Sequence, residues 1–445
     1  MTEPQSPQTP QIQPSYLPVA GAERSPVLPS NGAASPASAP ERGQEQAQTM
    51  LRDYQYYREI FRGRPLPLAY VDLDLLEENI RLTRERAGGK RVRIASKSLR
   101  SVTIIKRLLA AEPTFQGIMA FTAREAVYLA SQGLDDLLIG YPTWHEEDIA
   151  AVARASAEGT HITLMVDSLA HVEQIEGVAR RYGVRLPLCL DIDMAVDFPG
   201  LHFGVWRSPL RTAEQVRPVI ERIMSSPHVW LDGIMGYEAQ IAGVGDRYPG
   251  QALKNALVTW LKRRSLGEIA ARRAALVALI KEYAPQVRFV NGGGTGSVHT
   301  TRLEASVSEI TVGSAFYGPT LFDHYRNFRY QPAAGFAIEI VRRPHPQIYT
   351  CLGGGYVASG AAGPDKLPQP YLPQGAQLIA TEGAGEVQTP IRYSGPVMLS
   401  LGDPIFLRHA KAGELCERFT HLLLVSNGSI VDEVTTYRGD GHCFL

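Results

Sequence analysis

From Leu51 onward, short apolar runs alternate with stretches in which apolar residues recur at helical spacing. LAYVDLD (68–74), RVRIASK (91–97), GIMAF (117–121), DLLIGY (136–141) and HITLMVD (161–167) each precede a helical pattern, and LPLCLDID (186–193), WLDGIMGYE (230–238), VRFVNGGG (287–294) and SEITVGSAFYG (308–318) follow at similar intervals. Unbroken apolar strands separated by helices predict a parallel sheet covered by helices. Eight or nine such units in under 300 residues suit a (β/α)8 TIM barrel better than a doubly wound sheet, and no GxGxxG follows the first strand. Thr122 and Glu125 predict a capping box. The segment LRDYQYYREIF (51–61) has helical spacing and reads as a leading helix. Beyond Ala333 the texture changes to short β-like runs, including PVMLSLGD (396–403), broken by Gly, Pro and an Asn427-Gly428 hairpin turn. The expected organisation is therefore a tail over 1–48, a barrel with its leading helix over 49–332, and a smaller antiparallel β domain over 333–445.

Composition changes this picture at one end only. Residues 1–48 are rich in Pro, Gln, Ser and Ala and hold too little apolar surface to offset ordering entropy, so they read as disordered. Lys+Arg and Asp+Glu balance at 45 each, which removes a global field for nucleic acid or an anionic membrane. Basic pairs such as Arg272-Arg273 and Arg342-Arg343 read as solvated faces. No run approaches the roughly 18 apolar residues of a membrane span. Neither a secretory pattern nor paired cysteine spacing is evident, so cytoplasm and free thiols are expected for Cys189, Cys351, Cys416 and Cys443.

Three features lie where a barrel places function, at the C-terminal ends of strands. Lys97 closes RVRIAS and points toward the barrel mouth, where it can serve as an amine nucleophile. Gly292-Gly293-Gly294-Thr295-Gly296-Ser297 can close backbone N–H groups around a phosphate, and it lacks the Gly-Lys-Ser/Thr of a nucleotide loop. Gly313-Ser314 can form a second wall of that cradle, with Tyr317 available to a phosphate oxygen. A lysine facing a phosphate cradle is what pyridoxal 5'-phosphate (PLP) chemistry needs.

At this point the chain resembles the fold type III PLP-dependent family, whose barrel is of the alanine racemase N-terminal type, and within it the D-threonine aldolase and D-serine dehydratase branch. PLAYVDLDLLEENI, RIASKSLRS, LDIDMAVDFPGLHFGV, GIMGYEAQ and NGGGTGS carry the likeness, from about Pro65 to the C-terminus. The resemblance implies a PLP Schiff base on Lys97, a tyrosine over the ring at Tyr237, and a phosphate cup from Gly293, Gly294, Thr295, Gly313, Ser314 and Tyr317. His202 stands where the family has an arginine, so a fixed positive charge is lost there. A divalent metal held by a His-x-Cys or His-x-Asp pair is also implied, but the matching stretch LRHAKAGELCERF places Lys411 two residues after His409. An ammonium does not ligate a metal. Either Lys411 replaces the metal, the favoured reading, or Glu414 or Cys416 completes a rearranged site with His409.

The resemblance implies a lyase that cleaves or dehydrates a D- or β-hydroxy amino acid, with Lys97 as proton shuttle and Tyr237, His409 and Lys411 beside it, working as a homodimer on a small-molecule substrate. The alternatives are an amino-acid racemase or decarboxylase of the same fold, for which Tyr349, Tyr356 or Tyr371 would be the second base, and a non-catalytic PLP-binding protein.

Overall fold

The computed structural model describes residues 52–445; the segment 1–48, read above as a disordered tail, lies outside the described residues. Eight parallel strands close a barrel in chain order: Arg91–Ala95, Phe115–Ala120, Leu137–Pro142, Ile162–Val166, Leu186–Asp191, Val229–Gly236, Phe289–Gly292 and Glu309–Val312. The last strand pairs with the first, Val312 opposite Ile94. Leu138, Met165, Cys189, Met235 and Phe289 fill the interior with Met119. Gly233 is required there, because a Cβ would sit 2.1 Å from the Phe289 ring. The end where the strands begin is shut by a network of buried and part-buried charges. Arg93 donates to Glu309 at 2.6 Å, and Arg288 joins Asp136 and Asp232 at 2.8 Å each. The opposite end stays open for chemistry.

Nine candidate strands precede Ala333, and the barrel uses eight. Leu68–Asp72 goes elsewhere: it pairs antiparallel with Ala334–His345 and parallel with His421–Ser426 in a nine-stranded sheet. Helix Tyr54–Ile60 goes with it, since Tyr57 and Tyr70 pack against Phe406 at ring separations of 5.8 and 6.2 Å. The β unit thus begins before the barrel and resumes after it, and its sheet is mixed rather than purely antiparallel. From that sheet Asp72, buried and accepting from the Tyr57 hydroxyl at 2.9 Å, caps helix Leu73–Ala87, which leads into the barrel. The Asn427-Gly428 turn forms as expected, both residues at positive φ between two paired strands. PVMLSLGD does not form a strand; Met398 and Leu401 are exposed.

Two features bring the β unit onto the barrel mouth. After Pro404–Arg408 the chain turns inward, with the Thr320 amide donating to the His409 carbonyl at 3.1 Å and the Leu321 amide to the Ala410 carbonyl at 3.0 Å. Cys416 then donates to the Leu99 carbonyl at 3.2 Å. Residues 409–417 therefore lie against the turn that carries Lys97.

Candidate functional site

Lys97 sits in a single 3-10 turn, Ser96–Ser98, where its strand ends. The turn is fixed from three sides. Ser96 Oγ donates to the Met119 carbonyl at 3.0 Å, Arg100 Nε donates to the Lys97 carbonyl at 2.9 Å, and Ser98 Oγ meets Ser314 Oγ at 3.1 Å. Lys97 Nζ is thereby aimed into a cavity of about 450 Å³ at the C-terminal ends of the strands, where it donates to Tyr141 Oη at 3.0 Å. Burial pushes the Tyr141 phenol up, but Lys97, its hydrogen bond, Arg207 and Lys411 outweigh this and hold it below its ordinary value.

Behind this turn lies Glu125, which is fully buried and accepts from the Phe121 amide at 2.6 Å and from the Tyr437 hydroxyl at 2.8 Å. Thr122 caps its helix as the sequence predicts, accepting from the Glu125 amide at 3.2 Å, but the glutamate reaches one residue further back than a capping box would. Burial pushes its carboxyl up from 4.5 to about 7 against those hydrogen bonds. A carboxyl raised in the folded state gives stability that is complete below its unfolded value and is lost as pH rises through its folded value. Between pH 4.5 and 8 the wild type should thus lose about 3 kcal/mol more than Glu125→Gln. Denaturant unfolding across that range measures the difference, and parallel pH profiles would refute it.

The glycine loop after Phe289–Gly292 lines the same cavity. Gly293 has φ +76, and a Cβ there would lie 2.8 Å from Ile310; one on Gly313 would lie 2.8 Å from Ala95. The first loop amides are already used internally. Gly293 donates to Glu238 at 3.2 Å and Gly294 to Ser297 Oγ at 3.1 Å, while Ser297 Oγ donates to Glu238 at 2.8 Å. Glu238 is held in turn by buried Arg273 at 2.6 Å. The cup is therefore a preset shell organised by one carboxylate, and the Thr295 amide is without a partner among the described residues. Thr295 Oγ1 accepts from the Ala315 amide at 3.2 Å and joins the two walls.

Most sequence-predicted residues meet here. Lys97, His202, Tyr237, Gly293, Gly294, Thr295, Gly313, Ser314 and Lys411 all line the cavity. Burial pushes the Tyr237 phenol up to about 12, opposed by Arg207, so it remains a donor at neutral pH. His202 lies on a short hairpin, stacked 3.8 Å from Trp206 and joined through Nδ1 to Asp197 at 2.7 Å; its Nε2 is buried without a partner among the described residues.

Two expectations are corrected. Tyr317 does not line the cavity: the short helix Ser314–Tyr317 turns its ring inward, and the hydroxyl donates to the Leu99 carbonyl at 3.2 Å. His409 does not line it either. It is buried edge-on to Tyr317 at 6.3 Å, and burial with nearby Arg408 holds its imidazole down to about 3, which makes it a neutral core residue. Cys416 is fully buried and committed to the Leu99 carbonyl, and Glu414 accepts from the Ser359 amide and hydroxyl at 3.0 and 2.9 Å. The donors of the rearranged metal site thus point apart, and among the described residues no group of three His, Cys, Asp or Glu is placed to hold an ion.

The sequence reading also missed three residues. Tyr141 ends a strand just as Lys97 does, so strand-end position was a usable signal. Glu238 follows Tyr237 directly. Arg207 lies in an irregular loop with no such signal, yet its guanidinium lies 5.4 Å from the Tyr141 ring and 5.3 Å from that of Tyr237. It lines the same cavity as His202 and brings a positive charge to it. An amine, a tight phosphate-sized cup, and an imidazole nitrogen and a guanidinium without partners among the described residues, all around one cavity, fit a planar, phosphorylated aldehyde.

The sequence matches the family "Alanine racemase, N-terminal domain" over residues 71–320. Among curated proteins it is 28% identical over 252 residues to a 3-hydroxy-D-aspartate aldolase of Paracoccus denitrificans, covering 56% of this chain and 59% of that one. The chain thus spans about three fifths of the length of the curated relatives it matches. Its fold is similar to D-threonine aldolase from Filomicrobium marinum (TM-score 0.70, 15% identity, 84% of this chain and 95% of that one). It is also similar to D-threo-3-hydroxyaspartate dehydratase from Delftia sp. HT23 (TM-score 0.65, 18% identity, 86% and 99%). With its model matched over more than half the chain, and the barrel, the strand-end lysine and the glycine cup in place, the chain belongs to the alanine racemase N-terminal domain family.

Proposed function

We propose that the chain is a PLP-dependent lyase that cleaves or dehydrates a D-configured β-hydroxy amino acid, with the cofactor attached to Lys97. The observation that carries this reading is Lys97 Nζ directed into a cavity that the glycine cup also lines. The names of the similar proteins point to the same substrate class.

The cofactor, when bound, supplies an electron sink conjugated to the substrate's α-carbon. The rest falls to the protein. Gly293, Gly294, Thr295, Gly313 and Ser314 would hold the cofactor's phosphate, while His202 Nε2 and Arg207 would be available to its ring and to a substrate carboxylate. Lys97 Nζ, freed when substrate arrives, holds and moves a proton beside the α-carbon. Tyr141, with its phenol held low, is the group through which that proton is exchanged, a role expected from the sequence for Tyr237 or His409. Tyr237 stays protonated and closes the cavity from above the cup.

The racemase alternative needs a second base from the β unit, yet Tyr349, Tyr356 and Tyr371 do not line the cavity. Exposed Trp206, Leu253, Leu257 and Trp260 form an apolar surface near the His202 hairpin that supports a homodimer. Four free cysteines are in keeping with a reducing cytoplasm, and no described helix is long and apolar enough to cross a membrane. The test is a panel of 3-hydroxy-D-aspartate, D-threonine, D-serine and D-alanine, each with its L-isomer. Carbonyl products are expected from D-hydroxy amino acids; racemisation of alanine alone would replace this reading with the alternative.

A further inference from the structure

We infer that Lys411 takes the place of a divalent metal in this site and pairs with a second, distal carboxylate of the substrate. The inference rests on the reading of the site as a PLP lyase and names the substrate as an acidic amino acid.

A metal does not suit this cavity. The residues lining it include Lys97, Arg207 and Lys411 but neither an aspartate nor a glutamate. A divalent cation among them would meet like charges with no acidic ligand to offset the repulsion. His409 and Cys416 are turned into the core, so the loop that would hold an ion presents an ammonium instead.

The backbone explains why Lys411 points inward. The His409 and Ala410 carbonyls are tied to Thr320 and Leu321, and Ala412 then adopts φ +45, a left-handed value unusual for alanine. Gly413 presses on the Lys97 carbonyl so closely that a Cβ would lie 2.1 Å from it. This strained turn sets residue 411, rather than 409, over the cavity and beside Lys97.

Charge supplies the substrate class. With Lys97 occupied by the cofactor, Arg207 and Lys411 remain, and neither forms an ion pair among the described residues. A substrate with one carboxylate, met by exposed Arg207, would leave the part-buried Lys411 ammonium unmatched, whereas a second carboxylate matches it.

The test uses the holoprotein and two unreactive probes, succinate and propionate, measured by calorimetry, with metal content determined by elemental analysis. Succinate is expected to bind at least about tenfold more tightly than propionate. Lys411→Ala should remove that preference while still trapping the cofactor on Lys97, and Lys411→Arg should restore most of it. Chelator should change none of these values. An unchanged succinate preference in Lys411→Ala, no preference in the wild type, or a stoichiometric metal whose removal weakens succinate binding would each overturn the inference. Cofactor trapping on Lys97 is read separately, so failure of the PLP reading is not mistaken for failure of this one.

Discussion

Lys97→Ala is expected to fold normally and to lose turnover by at least about three orders of magnitude, the scale seen when a covalent group is removed. Its side chain makes one hydrogen bond, to Tyr141, and fills no core position, so little stability is at stake. The turn around it is held by Ser96, Ser98 and Arg100, which are untouched. Borohydride reduction followed by peptide mass analysis should find the cofactor's mass on the Lys97 peptide of the wild type and on no peptide of the variant. Lys97→Arg should be equally inactive, since a guanidinium keeps its proton and cannot attack a carbonyl. Cofactor trapped on another lysine, or turnover in Lys97→Ala near the wild-type rate, would refute the assignment.

Lys97 was legible in the sequence because a barrel sends the ends of its strands to one face, so a strand's last residues declare their place. The same logic covers Tyr237 and the glycine loop, and applied to DLLIGY it would have found Tyr141. It has no purchase on Arg207, whose loop follows no period, nor on which sheet a buried strand joins. Leu68–Asp72 is buried on both faces and would look the same in either. Tyr317 misled because a single helical turn after Ser314 carries its ring to the core side. His409 and Lys411 misled for a related reason. Residues two apart share a face only while the chain stays extended, and the chain leaves its strand at Arg408 and reaches a left-handed Ala412. What the sequence withheld was local backbone geometry at the ends of elements.

Arg273 is the sharpest case, and it carries the largest expected loss of stability. The pair Arg272-Arg273 reads as a solvated run, but successive positions on helix Ala252–Tyr283 lie about 100° apart. Arg273 is therefore buried between Glu238, at 2.6 Å, and Glu304, and also donates to the Gly236 carbonyl at 2.9 Å. Arg272 is part-buried, paired with half-exposed Glu268 at 2.5 Å and donating to the Asp193 and Ala195 carbonyls at 3.1 and 2.7 Å. Arg273→Met would leave Glu238 charged, buried and unmatched, with Glu304 beside it, at a cost of about 3–5 kcal/mol. Because Glu238 also holds Gly293 and Ser297, affinity for the cofactor phosphate should fall with stability. Arg272→Met should cost less than Arg273→Met, about 1–2 kcal/mol, because it strands two carbonyls rather than a buried carboxylate. Adding Glu238→Gln to Arg273→Met should return part of the lost stability by removing the stranded charge, while leaving the phosphate cup loose. Denaturant midpoints and cofactor titrations on the three variants separate the two effects. Equal losses for Arg272→Met and Arg273→Met would mean that this ion pair does not organise the cup.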